Sequence, residues 1–158
     1  MLYSSYMLEL NVTPPDFALF DQNSKTRRLS EFAGSWVLVY FYPKDDTPGC
    51  TTEACTLRDA YSDYEKNGIV VIGISHDSPE SHAAFIAKYE LSFILLSDPA
   101  KHTMKQFGAV SGVFTKRMSY LIAPNGTVAK IYPHVDPATH AYTVLTDVRS
   151  YINIHTTN

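Results

Sequence analysis

The chain has 158 residues, 45% of them apolar and 18% charged. That length points to one domain over residues 1–158 with a sizeable buried core, and the composition excludes a mainly disordered chain. Thirteen basic against sixteen acidic side chains leave a formal charge of −3, which lacks the positive footprint of a nucleic-acid binder. The longest apolar runs, Trp36–Tyr42 and Ile69–Ile74, fall well short of the ~20 residues of a membrane-spanning helix, so no membrane partner is expected.

In chain order, the start carries an early acid at Glu9 and no basic stretch, so it does not read as a secretory signal, although processing of the first ten residues stays open. Thr13-Pro14-Pro15 and Leu19-Phe20 are expected to form edge structure leading into the first core strand. That strand is Trp36–Tyr42, an unbroken β-branched and aromatic run suited to burial on both faces. Thr51–Lys66 sets Ala54, Leu57, Tyr61 and Tyr64 at helical spacing and stops at Asn67-Gly68. Ile69–Ser75 repeats the strand pattern, and so long a crossover implies a parallel pair. Ser78 is an N-cap for a helix over Pro79–Tyr89, with Phe85 and Tyr89 on one face. A short apolar piece, Phe93–Leu96, leads through Asp98-Pro99 to a helix that runs toward Phe107 and stops at Gly108. Met118–Ala123 and Val128–Tyr132 flank Pro124-Asn125-Gly126-Thr127 as a hairpin, and a last helix spans about Pro137 to Ile152. The order of elements is that of one α/β domain.

Two cysteines are too few to staple a secreted mini-domain, and a core of this size does not need them. A reducing cytoplasm is the expected setting, where a close pair is more often catalytic or metal-binding than structural. Cys50 falls just beyond the carboxyl end of the first core strand, where ligands gather in open α/β sheets, and in the first turn of the following helix. Unpaired amides and the positive end of the helix dipole there favour a thiolate, the nucleophilic form, and can hold an oxygen-rich substrate in line for attack. A buried inert thiol is the plain alternative, but the polar and turn-forming setting of Asp45, Asp46, Thr47 and Gly49 argues against it.

Pro43-x-x-x-Thr47-x-x-Cys50 resembles the peroxiredoxin signature, and Phe41–Cys55 is similar to the bacterioferritin-comigratory-protein (PrxQ) subfamily. The resemblance continues in Pro15-Asp16-Phe17, Leu57-Arg58-Asp59, Ser81-His82-x-x-Phe85, Leu95–Asp98, Phe107-Gly108-Ala109 and Arg117–Ile122, covering roughly Leu10 to Ile152. It implies a thioredoxin-like fold with a central mixed sheet flanked by helices and an N-terminal extension. It also implies a cofactor-free, metal-free peroxidase acting on hydrogen peroxide and organic hydroperoxides, recycled by thioredoxin or a similar dithiol, as a monomer or weak dimer. Residue by residue, Cys50 matches the cysteine that attacks the O–O bond and becomes a sulfenic acid, and Thr47 the hydroxyl that bonds the attacked oxygen. Pro43 matches the residue shielding the thiolate, and Arg117 the arginine that stabilises thiolate and leaving oxygen.

Cys55 is implied as the resolving cysteine that closes an intramolecular disulfide with Cys50. On an intact helix five residues separate Cα atoms by about 8–9 Å, and a disulfide needs them within about 7 Å, so the first turns must melt. Thr51 and Thr52, poor interior helix formers, ease that melting. Read without the resemblance, Thr47 is a turn residue, Arg117 a solvated charge and Cys55 a packed thiol. Arg58 has Asp59 or Glu53 as helix-surface partners. The chain departs from the subfamily at Ser92-Phe93-Ile94, where a proline is usual, and at Met118-Ser119-Tyr120, where Thr-Phe is usual, which leaves pocket shape and substrate preference open. Rival readings are a thiol–disulfide oxidoreductase, which favours C-x-x-C spacing, and a non-enzymatic redox switch. A metal module built from Cys50, Cys55 and two of the six histidines is a third.

Overall fold

The computed structural model describes residues 6–156, along which the elements run β1 (Ala18–Asp21), β2 (Thr26–Arg28), β3 (Trp36–Phe41), α1 (Pro48–Lys66), β4 (Ile69–Ser75), α2 (Pro79–Tyr89), β5 (Ile94–Ser97), α3 (His102–Gln106), β6 (Val110–Ser111), β7 (Phe114–Thr115), β8 (Met118–Ile122), β9 (Val128–Tyr132) and α4 (His140–Thr156). Seven strands form one mixed sheet in the order β2-β1-β5-β4-β3-β8-β9. The long crossover through α1 makes β3 and β4 parallel, with Val39 opposite Ile72, while β8 runs antiparallel to β3.

Because side chains alternate across a strand, β3 feeds two cores. Leu38 and Tyr40 face a cluster that takes in Ala54, Leu57 and Tyr64 of α1, Phe85 of α2, and Val144, Leu145 and Val148 of α4. Val37, Val39 and Phe41 face a second cluster with Met104 of α3, Phe107, Tyr120 and the N-terminal Phe17. Burial on both faces is why β3 and β4 read as continuous apolar runs. The N-terminal segment crosses the second face: Leu8 N–H donates to the Tyr120 hydroxyl at 3.1 Å, and Tyr120 in turn donates to the Phe107 carbonyl. Gly108 (φ +69) stops the α3 region there, and a Cβ on it would lie within 2.8 Å of the Tyr6 and Met7 backbone.

Edge structure near Leu19 is the β1–β2 hairpin, with β2 outermost and Thr13-Pro14-Pro15 outside any strand. Ser78 caps α2, accepting from Ser81 N–H at 3.1 Å. The α1 helix starts at Pro48, ahead of Thr51, because proline at the first helical position has its φ already set. The last helix begins at His140, three residues after Pro137, once Asp136 has accepted backbone amides from Thr139 and His140. The small β6–β7 hairpin gives no sequence signal, since its strands are two residues long.

At the start of α4, His140 is buried with its Nε2 2.8 Å from the Ser119 hydroxyl, one of the positions where the chain departs from the subfamily. Burial lowers its pKa to about 4. The unfolded chain therefore binds the proton more readily, so stability is complete above the ordinary histidine value of 6.5 and is lost as pH falls through about 4. The shift corresponds to about 3 kcal/mol. Denaturant unfolding between pH 7 and 4 should show this loss, and His140→Asn should flatten the slope.

Candidate active site

The turn between β3 and α1 is shaped by residues that cannot continue either element. Asp46 takes the left-handed conformation (φ +56), and its carboxylate binds Lys88 Nζ and the Tyr89 hydroxyl of α2, each at 2.7 Å. Those bonds hold its carboxyl below the usual range. Thr47 is the residue before the helix, but its hydroxyl does not cap it; Oγ1 donates to the Lys44 carbonyl at 2.8 Å, which leaves its lone pairs as acceptors. The first intrahelical bond is Thr51 N–H to Thr47 O, so the amides of Gly49 and Cys50 have no helical carbonyl to meet. Cys50 sits among them, 2% exposed.

Arg117 reaches this point through strand register. Met118 of β8 lies opposite Phe41 of β3, so the residue before Met118 lies beside the carboxyl end of β3, where the turn to α1 begins. Its Nη2 donates to Cys50 Sγ at 3.3 Å, and its Nη1 lies 3.4 Å from Oε1 of Glu53. A Cβ on Gly49 would come within 2.9 Å of that Nη2, so glycine is what lets the guanidinium lie against the first helical turn. Glu53 is 1% exposed, and its Oε2 has no partner among the described residues. Burial raises its pKa to about 7, with Arg117 opposing the rise. One guanidinium therefore serves two groups that are costly to ionise while buried.

Cys55 is half-buried and, like Cys50, unpaired in a disulfide. Both lie within the unbroken helix α1, so the two cannot join while it is intact. Pro43 is half-buried in the same turn as Thr47. The structure thus brings Cys50 and Arg117 together at the start of α1, with Pro43 and Thr47 in the turn that leads into it and Cys55 about one and a half turns further on. Arg58 takes the Asp59 side chain at 3.0 Å and the Tyr89 carbonyl at 2.8 Å as partners, while Glu53 turns inward. Sequence reasoning leaves Glu53 as a helix-surface acid; its one signal is a place three residues after Cys50, on the same helix face. Among the described residues the cluster of metal-ligand type is Asp45, Asp77 and His82, which contains neither cysteine.

The profile of the AhpC/TSA family matches residues 11–131. Chloroplastic peroxiredoxin Q of Sedum lineare is 48% identical over 123 residues, covering 76% of this chain and 66% of that protein. The putative peroxiredoxin bcp of Haemophilus influenzae is 42% identical over 146 residues, 86% of this chain and 93% of that one. The chain spans less than two thirds of the length of the plant relatives, 56–66%. Among solved structures, the bacterioferritin comigratory protein of Xanthomonas campestris, described for its alkyl peroxide reduction activity, superposes with a TM-score of 0.84. It is 32% identical and covers 91% of this chain, and 97% of it is covered. With that likeness the fold is the thioredoxin-like one, a central mixed sheet flanked by helices.

The carboxyl of Glu53 generates a test by stability. Its folded value of about 7 exceeds the ordinary 4.5, so the folded state holds the proton more tightly between those two values. The stability this supplies is complete below pH 4.5 and is lost as pH rises through about 7, by about 3 kcal/mol. Glu53→Gln, which cannot ionise, should remove that fall from urea unfolding curves taken between pH 5 and 8.

Proposed function

We propose that this chain, which belongs to the AhpC/TSA family, is a thiol-dependent peroxidase that reduces hydrogen peroxide and organic hydroperoxides. The observation that carries the reading is the Arg117 guanidinium 3.3 Å from a buried Cys50 sulfur at the open start of α1. The Cys50 thiolate attacks one peroxide oxygen, the S–O bond forms as the O–O bond breaks, and the electron pair leaves on the second oxygen. That oxygen takes a proton and departs as water or an alcohol, leaving Cys50 as a sulfenic acid. Negative charge is spread over sulfur and two oxygens at the transition state. Arg117 and the free amides of Gly49 and Cys50 are already placed to meet it.

Thr47 accepts the proton-bearing end of the peroxide, because its own hydroxyl proton is committed to Lys44. Pro43 excludes water from the sulfur without adding a competing donor. A cavity of about 600 Å³ opens beside Arg117, with Met7, Met118, Pro133 and Val135 among its walls, and offers room for the organic group of a larger hydroperoxide.

Cys55 then attacks the oxidised sulfur; the S–S bond forms, the S–O bond breaks and water leaves. For this the first turns of α1 unwind. Gly49, Thr51 and Thr52 lower the cost of doing so, while Thr56, bonded to the Pro137 carbonyl at 3.1 Å, and the fully buried Leu57 hold the remainder of the helix. A dithiol protein of thioredoxin type reduces the disulfide and is itself oxidised. The proposed cycle runs in a reducing compartment such as the cytoplasm, where thiols are kept reduced, and draws Cys50, Cys55 and Arg117 from one chain.

Cys50→Ser should abolish peroxide consumption in a thioredoxin-coupled assay, whereas Cys55→Ser should complete one turnover and stop as a sulfenic acid trappable by dimedone. Full turnover by Cys50→Ser refutes the reading. Hydrogen exchange should rise across Gly49–Cys55 on oxidation and stay low beyond the Thr56 anchor, from Leu57 onward; equal protection in both redox states contradicts the unwinding step.

A further inference from the structure

Beneath the turn that carries Pro43 and Thr47 lies a buried polar cluster that the reaction itself does not use. Asp45 is its centre. Its Oδ1 accepts from the Tyr42 hydroxyl at 2.6 Å, and its Oδ2 from the Ser81 hydroxyl at 2.9 Å. The same Oδ2 is 2.7 Å from Nδ1 of His82, and the Asp45 amide donates to Asp77 Oδ2 at 2.9 Å. His82 is fully buried, with its other nitrogen, Nε2, 3.0 Å from the Leu96 carbonyl. Both ring nitrogens thus lie against oxygen atoms, so the ring is held at both ends, by Asp45 on one side and β5 on the other. Asp77 is fixed in turn by the Ser75 hydroxyl at 2.6 Å.

These bonds tie the turn to the ends of β4 and β5 and to the first turn of α2. The occupied ring nitrogens and carboxylate oxygens leave the cluster of Asp45, Asp77 and His82 satisfied without a cation. Asp45 lies two residues after Pro43 and two before Thr47, so its position sets the path of the backbone on both sides. A neighbour, Asp46, is fastened separately to the far end of α2. The turn is therefore clamped to α2 at two points, while α1, which must unwind, begins only at Pro48.

We propose that Asp45 and His82 are positioning residues for peroxide reduction: their buried pair holds Pro43 and Thr47 in register over Cys50, and it keeps them there while the start of α1 unwinds and reforms. The inference rests on the peroxidase reading above. It requires that the pair act on alignment of the peroxide rather than on the nucleophilicity of the sulfur, because neither residue touches Cys50 or Arg117. Small misplacements of an aligning group cost up to ~100-fold in rate, so the effect is measurable.

The test compares two rates on the reduced full-length protein: the second-order rate constant with hydrogen peroxide by stopped flow, and the rate of alkylation by iodoacetamide, which needs the thiolate but not Thr47. Asp45→Asn and His82→Leu should each slow the peroxide reaction by ~10-fold or more while changing alkylation less than about 2-fold. The double variant Asp45→Ala/His82→Leu, which leaves no buried charge unpaired, should be no slower than the worse single variant. Ser81→Ala removes one bond to the same carboxylate from the helix surface and should give a smaller loss of the same kind, even if the other variants fold poorly. An unchanged peroxide rate in the variants, or equal losses in both rates, overturns the proposal. A wild-type protein that is alkylated but does not react with peroxide overturns the peroxidase reading instead.

Discussion

The negative charge that the proposed reaction puts on Cys50, a sulfur 2% exposed, is the constraint around which this molecule is organised. Such a charge is tolerable only where dipoles and an opposite charge replace the water it has lost. Two unspent amides at the start of α1 supply the first, and Arg117 the second. Neither is local to the other in sequence: Cys50 and Arg117 are 67 residues apart and meet because β8 is hydrogen-bonded to β3 in a register that ends both strands at the same place. Burial of β3 on both faces keeps that register from slipping, since a shift of one residue would carry Leu38 and Tyr40 to the wrong core. Core packing and site chemistry are thereby linked.

The second buried acid sharpens the arrangement. Glu53 shares the guanidinium with Cys50, and its reluctance to ionise leaves more of that positive charge for the sulfur. A site of this kind is stable in one geometry only, yet the chemistry proposed for Cys55 needs the same helix to open. The conflict is divided along the chain. Weak helix formers occupy Gly49 to Thr52, and firm anchors stand on both sides, at Asp45 and Asp46 before the helix and at Thr56 to Arg58 within it.

Legibility of the sequence followed how local each cause was. Strands β3 and β4, helices α1 and α2 and the β8–β9 hairpin follow from unbroken apolar runs, helical spacing and Asn125-Gly126, all of which are short-range patterns. Cys50 stood out because its neighbours are turn formers. Glu53 did not, since only the fold shows that its helix face turns inward toward Arg117. His82 and Asp45 are 37 residues apart, and nothing in the spacing of either announces a partner. The β6–β7 hairpin was missed because two-residue strands have no period to detect. Arg117 was carried by the resemblance alone until β-sheet register placed it.

The most direct trial of the central claim is the second-order rate constant of the reduced protein with hydrogen peroxide, compared between the parent chain and Arg117→Met, which keeps length and loses charge. With the guanidinium as the chief charge facing sulfur and oxygens, the substitution should slow the reaction by ~100-fold to 1,000-fold, and Arg117→Lys should recover part of it. A methionine variant that consumes peroxide as fast as the parent would contradict the account.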